Sequence, residues 1–471
     1  MKNTGRICYV VLCFFICIVP FAGMLVNRTD TTTENKELAA FPNLKKDGKW
    51  NVDFMQEMGL YFEDHFAFRP ELVTADAKIQ SGIFQVSNVD TVTVGTDGWL
   101  YYTSTVKDYL GQEVMSQREI ANAAHNLSLA QQYVQEKGAK FLLTVAPNKN
   151  SLYGENMPYY FQRKADNVRN IDLLEREMEK YDISYTNLFS LFAKQDEVLY
   201  LKRDSHWNNK GAVLVYDALL NQLEMEHDRY ETTKSIRQKN AYGDLNKMLY
   251  PLAAEPEWNY SYQKKDAYSY KTDTKSVEDA WIETENKAGS GSLLMFRDSF
   301  GNTLLPFMAN TFSQGYFSKG IPQNIAGYME TYQPDVVILE KVERNISEFA
   351  KEPPIIECPV TEIDGEAEKA ESDTSLNMKE SENNADYWEI SGTLAPSVCK
   401  EDVQIYVRIT HGEEQNIYET LSVTNENTDY GYRLYLPKEK FSEDKIELEV
   451  IVGSEAEYKS VQAVEFDVDR F

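Results

Sequence analysis

Residues 7–26, ICYVVLCFFICIVPFAGMLV, are twenty consecutive positions without a charge. At about 1.5 Å per residue, such a helix can cross a bilayer's hydrocarbon core. A polar stretch follows at 27–40, NRTDTTTENKELAA, which reads as a tether. From Phe41 to Gln80 apolar residues recur at three- and four-residue spacing, as in FMQEMGLYFEDHFAFR, predicting helix. TVTVGTDGWLYY (91–102) predicts two short strands around a turn at Asp97-Gly98.

An alternation of helix and strand patterns comes next. Ser116 with Glu119 forms a capping box, and Ile120, Ala123, Leu127, Ala130 and Val134 make a helical stripe that Gly138 terminates. KFLLTVAP (140–147), SLLMFR (292–297) and DVVILEKV (335–342) are continuous apolar runs of the buried-strand type. ISYTNLF (183–189) is strand-like. IDLLEREMEKY (171–181), GAVLVYDALLNQLEM (211–225) and a segment from Gly301 predict helices. The predicted fold class is α/β: a parallel sheet flanked by helices, with reactive groups at the C-terminal ends of its strands.

Residues 361–386 then carry nine acidic residues, two lysines and no aromatic, the composition of a solvated linker. Short alternating segments from YWEISGTL to VQAVEFDV predict a small antiparallel β-sandwich. The expected organisation is a transmembrane anchor at 1–26, a tether at 27–40, an α/β domain at 41–355, an acidic linker at 356–386 and the sandwich at 387–471.

Charge narrows the function. A net charge of −27 argues against a broad nucleic-acid role, which needs a basic face. Lys2 and Arg6 precede the apolar run, predicting a cytoplasmic N-terminus and an exported remainder. A cleaved signal peptide is the competing reading, but the run is long and no A-x-A site follows. Cys17 lacks the small preceding residues of a lipidation site. Outside the run only Cys358 and Cys399 remain, so no metal site is expected, and whether those two pair is open. No cofactor is expected, because no nucleotide-binding glycine loop occurs.

Two segments carry chemistry. In Arg203-Asp204-Ser205-His206-Trp207, an extended backbone would put Asp204 and His206 on one face, so that the carboxylate orients the imidazole. Asn208 and Asn209 are suited to cap the next helix. In Phe296-Arg297-Asp298-Ser299-Phe300-Gly301-Asn302, a buried strand runs into Ser299 where a helix begins. The backbone N–H groups of Phe300 and Gly301 are candidate oxyanion donors there, and Gly301 would admit substrate close to the backbone. Each segment alone has a bland reading, as a turn cap or a helix N-cap. Of the other histidines, His125, His227 and His411 sit in helix, charged and β contexts, and His65 lies in an aromatic corner. His206 is therefore the default partner of Ser299.

In combination, FEDHFAFR (62–69), GTDGWLYY (95–102), VAPNKNSLYGENMP (145–158), RDSHWNNKGA (203–212), FRDSFGN (296–302) and PDVVILEKVERN (334–345) resemble a known family. It is the exported SGNH-hydrolase-like proteins of the alginate O-acetyltransferase group, including the DHHW proteins of Gram-positive bacteria. The resemblance implies an SGNH-like fold with permuted triad order, Ser299 as nucleophile, His206 as base and Asp204 as its orienter. Ser205 stands where the family nickname has a second histidine.

The resemblance also makes Asn345, with Arg344 beside it, an oxyanion candidate, and Asn148 and Lys149 are candidates for substrate contact. It implies acetyl transfer to an exported or cell-wall polysaccharide, with acyl groups supplied by a multi-spanning membrane acyltransferase. The expected protein is a single-pass membrane enzyme with an extracellular catalytic domain. An esterase with the same triad and a non-catalytic glycan-binding scaffold are the alternatives. A Ser299→Ala variant that keeps its biological role would favour the scaffold.

Overall fold

The architecture comes from a computed structural model, which describes residues 2–24, 26, 38–46, 48–162, 167–230, 233–262, 265–370, 372–441, 445–454 and 457–467. Most of the expected tether, 27–37, lies outside the described residues. The apolar run is a helix, Lys2–Gly23. Its Gly5–Gly23 portion is long and apolar enough to cross a membrane, a test that a signal sequence also passes. The helical pattern expected from Phe41 begins later, at Phe54–His65, and resumes at Arg69–Ile79.

Seven strands form the central sheet, in the order 185–186, 140–146, 336–342, 292–296, 314–318, 281–285 and 269–270. The first five are mutually parallel, and the last two add antiparallel at one edge. Alternate side chains leave a strand on opposite faces, so each apolar run feeds two cores. Leu142, Leu293, Met295 and Ile338 join the core under the helices Asn209–Gln222 and Gly301–Thr311. Phe141, Leu143, Leu294 and Val337 join the opposite core, with the helix Gln117–Glu136. The ISYTNLF segment yields only the two-residue strand Tyr185–Thr186 before turning into the helix Leu188–Phe192, which Asn187 caps.

Beyond residue 356 the chain is β-rich, with a six-stranded and a four-stranded sheet. The acidic stretch expected as a linker contributes to both. Asn377–Glu380 pairs with Tyr387–Thr393, while Ile355, Ile356, Cys358, Leu376 and Met378 are buried. Its charges alternate with these few apolar anchors, so composition averaged over the stretch hides them. Cys358 and Cys399 are free thiols, and Cys399 donates to the Ala395 carbonyl at 3.3 Å.

This β region is built onto the α/β layer. Strand Leu421–Asn425 is an edge of the four-stranded sheet. Asn126, from the helix Gln117–Glu136, takes the place of a neighbouring strand: its amide donates to Ser422 O and accepts from Ser422 N, each at 2.8 Å. A side-chain amide thus closes part of an open edge. The predicted stripe on that helix, Ile120 through Val134, is buried, and so are its polar residues Asn122, Asn126 and Gln131.

Candidate active site

His206 sits at the tip of a tight loop. Tyr200 bridges Trp207, and Leu201 N donates to His206 O at 3.2 Å, so residues 200–207 double back on themselves. Asp204 and His206 converge through a turn, and not through the extended backbone expected from the sequence. Asp204 Oδ1 accepts both the His206 backbone N–H at 2.9 Å and its Nδ1 at 2.7 Å. Such a side-chain-to-backbone turn is a favoured use of aspartate. Asn208 caps the following helix, accepting from Lys210 N and Gly211 N, while Asn209 bonds to Asn259 and Tyr260 of the strand Glu257–Tyr262.

The loop is held from two sides. The short helix Asp244–Leu249 abuts it: Asp244 N donates to Asp204 Oδ2 at 3.0 Å, and Asn246 N to Arg203 O at 3.0 Å. This approach requires Gly243, where a Cβ would stand 2.1 Å from Arg203 O. Beneath the loop, the buried Lys149 ammonium donates to the carbonyls of Leu201, Lys202 and Asp204. Burial pulls its pKa down to about 8, against the opposing pull of Asp204 and Asp244.

Ser299 lies in the turn between the strand Ser292–Phe296 and the helix Gly301–Thr311. Its Oγ is 2.8 Å from His206 Nε2, completing a Ser299–His206–Asp204 relay. Asp298 pins the turn, accepting from Phe300 N and from Val342 N, each at 2.8 Å. The Phe300 N–H expected to serve an oxyanion is therefore engaged by Asp298. The fully buried Phe300 ring instead packs 4.7 Å from the His206 imidazole. Gly301 also faces inward: a Cβ there would meet Arg297 Cβ at 2.6 Å and Glu340 Oε2 at 3.1 Å. Packing under the turn requires that glycine. Burial, then the adjacent Asp298, push Glu340 well above the ordinary carboxyl range.

The relay opens into a cleft of about 570 Å³ lined by Tyr102, Tyr242, Lys247, Met248, Glu278 and Arg344. Arg344 is thus at the site, packed over Tyr102. Asn345, in the same short turn, is not among the lining residues. Asn148 and Lys149 are buried rather than presented to the cleft. His65, the rival histidine, is buried against Tyr61, whose carbonyl lies 2.9 Å from its Nδ1.

The sequence reading missed Asp244. Its Oδ2 is 3.8 Å from His206 Nδ1, and its carboxylate accepts from the Ser205 hydroxyl and from Ser205 N. Gly243-Asp244 before a helical run resembles an ordinary helix start, and no local signal ties it to a histidine far along the chain. Burial favours neutral His206, but Asp204, then Asp244 and Asp298, outweigh it and raise its pKa. Burial opposes ionisation of Asp204, yet His206 and two backbone N–H groups hold its pKa below the ordinary value. Among the described residues, Asp204, His206 and Asp244 are also a group close enough to hold a metal ion. The 2.7 Å contact between Asp204 Oδ1 and His206 Nδ1 is hydrogen-bond geometry. The arrangement suits proton transfer at a serine hydroxyl.

Residues 92–288 match the ALGX family model, an SGNH hydrolase-like domain of acetyltransferase AlgX. The matched span includes Asp204 and His206 and ends before Ser299. Solved structures similar to this chain include Bacillus cereus PatB1 with a sulfonyl adduct, at 17% identity over 55% of this chain and 97% of that one, TM-score 0.45. A DHHW family protein from Eubacterium siraeum is 15% identical over 48% and 86%, TM-score 0.39. The O-acetyltransferase domain of Pseudomonas putida AlgJ is 15% identical over 54% and 92%, TM-score 0.37. No curated protein matches the chain. The α/β unit is SGNH-like, with a β-rich C-terminal region and one N-terminal apolar helix.

Proposed function

We propose that this chain is a cell-surface O-acyltransferase that moves an acetyl group through Ser299 to a hydroxyl of an exported or cell-wall polysaccharide. The observation that carries this reading is His206, within 2.8 Å of Ser299 Oγ on one side and 2.7 Å of Asp204 on the other. The ALGX acetyltransferase match supports the acyl class. Helix Gly5–Gly23 is read as a single-pass anchor, with the catalytic domain outside and the donor delivered by a membrane acyltransferase.

The chemistry follows from the relay. His206 Nε2 takes the Ser299 proton as Oγ adds to the acetyl carbonyl of an ester donor. Collapse breaks the donor C–O bond, and His206 returns the proton to the departing oxygen. A sugar hydroxyl then gives its proton to His206 and attacks the acetyl-serine, and the same proton finally restores Ser299. Asp204 holds the imidazole with Nδ1 protonated and Nε2 free to accept. Arg344, lining the cleft, is the assigned cation for the negative charge on the tetrahedral oxygen.

Mass spectrometry of the protein incubated with an activated acetyl ester tests this, with and without an oligosaccharide. Acetyl on Ser299 that passes to the sugar is the expected result, absent in Ser299→Ala. Acetyl released only to water would make it an esterase. No label on folded wild-type protein would leave a binding or scaffold role.

A further inference from the structure

The helix Arg69–Ile79 runs directly into the turn Gln80–Phe84, and the two faces of this element differ. One face is buried against the active-site wall. Ala77 packs with Leu245, Met248 and Leu249, Thr74 Oγ1 accepts from Leu252 N, and Ser81 Oγ meets the Tyr250 hydroxyl at 2.7 Å. The helix beneath it, Asp244–Leu249, supplies Asp244, Lys247 and Met248 to the cleft.

The other face is open and carries most of the element's large apolar side chains. Phe68, Leu72, Ile79 and Ile83 are spaced by whole helical turns and are 43%, 49%, 52% and 71% exposed, with Phe84 beside them at 62%. Ala75 and Asp76 share this face, and the Asp76 carboxylate falls between Leu72 and Ile79. The exposed apolar residues thus form two groups on one face, Phe68–Leu72 and Ile79–Ile83–Phe84, and clustered exposed apolar side chains of this kind mark a contact surface. Its first residue touches the N-terminal helix: a Cβ on Gly23 would lie 3.5 Å from the Phe68 ring. Ala67 N donates to Pro20 O, and Phe21 packs 5.5 Å from Phe62. The surface therefore starts where the membrane-crossing helix ends. Arg69 and Lys78 flank it, long cations of the kind that reach headgroups, beside the exposed carboxylates of Glu71 and Asp76.

We propose that the Phe68–Leu72–Ile79–Ile83–Phe84 face lies in the headgroup–acyl boundary of the bilayer and holds the catalytic cleft one helix layer from the lipid. This rests on reading Gly5–Gly23 as an anchor. The occupant is lipid, because the face is continuous with a helix whose own surface is apolar and unburied in the protein. The cleft thereby meets a membrane-delivered donor without the catalytic unit having to swing toward it.

The test uses the full chain in phosphatidylcholine–phosphatidylglycerol vesicles containing a lipid with a diazirine near the carbonyl end of its acyl chain. Photolysis is followed by peptide mapping. Adducts are expected within 2–23 and at Leu72, Ile79, Ile83 and Phe84, with none at the exposed apolar controls Val198 and Val360. Adducts confined to 2–23 on floating vesicles overturn the proposal and leave the anchor standing. Protein that does not float overturns the anchor reading and the proposal with it. In an Ile83→Glu/Phe84→Glu variant that still floats and melts as wild type, labelling at Leu72 and Ile79 should fall severalfold. Unchanged labelling there overturns the flat orientation.

Discussion

Asp244 stands 3.8 Å from His206 Nδ1, alongside the Asp204 carboxylate that hydrogen-bonds the same nitrogen. Ser205 donates to Asp244 and lies 3.2 Å from His206 Nδ1, so the imidazole edge faces two carboxylates and a hydroxyl. Burial works against the imidazolium, and the charges of Asp204, Asp244 and Asp298 outweigh it. A general base must be neutral, so activity falls as pH drops through the His206 pKa. The acid limb of kcat/KM is expected above the ordinary histidine value of 6.5. Asp244→Asn removes one negative charge and should move that limb to lower pH. Superimposable pH profiles for the two proteins would refute a role for Asp244.

Lys149 is buried under the catalytic loop and donates to three of its carbonyls. Lys149→Met keeps much of the volume and leaves the carbonyls of Leu201, Lys202 and Asp204 without their donor. Each buried unsatisfied group costs about 1–3 kcal/mol. The expected result is a lower melting temperature and a fall in kcat with KM nearly unchanged. A raised KM with unaltered stability would instead indicate direct substrate contact.

Glu343 accepts from Asn148 N and Ser151 Oγ inside the protein. Burial, then Asp108, raise its pKa from 4.5 to about 7. The folded state therefore holds this proton more tightly than the unfolded one. The resulting stabilisation is complete below about 4.5 and is lost as pH rises through about 7. Glu343→Gln cannot titrate. Denaturant melts at several pH values should show wild type losing stability relative to the variant across that window, and a constant difference would contradict the assignment.

Gly301→Ala places a methyl 2.6 Å from Arg297 Cβ and 3.0 Å from its Cδ. Overpacking of this kind costs about 1–3 kcal/mol. Because the strain falls directly under Ser299, acetylation of that serine should slow by more than the stability loss alone predicts. Full-rate acetylation in a folded Gly301→Ala protein would show that the turn tolerates the methyl.

Much of this protein was legible from local patterns because local physics decides them. Period-3.6 stripes, buried apolar runs and the Ser116 cap, which accepts from Glu119 N, identify elements within one window of chain. Asp204, His206 and Ser299 could be paired by chemical role, since few histidines compete. What escaped was whatever depends on distant partners. Strands Trp281–Glu285 and Gln314–Ser318 have no long apolar run and gain their place through pairing at the sheet edge.

The sequence by itself determined an apolar N-terminal helix, an α/β alternation, a β-rich C-terminal region and the residue types of a serine relay. Only the tertiary structure decided how these meet. It committed the Phe300 N–H to Asp298, turned Gly301 inward, buried Lys149 and Asn148, and brought Asp244 and Arg344 to the cleft. A hydrogen-bonding group has several admissible partners, and the backbone path through space, not its neighbours in the chain, selects among them.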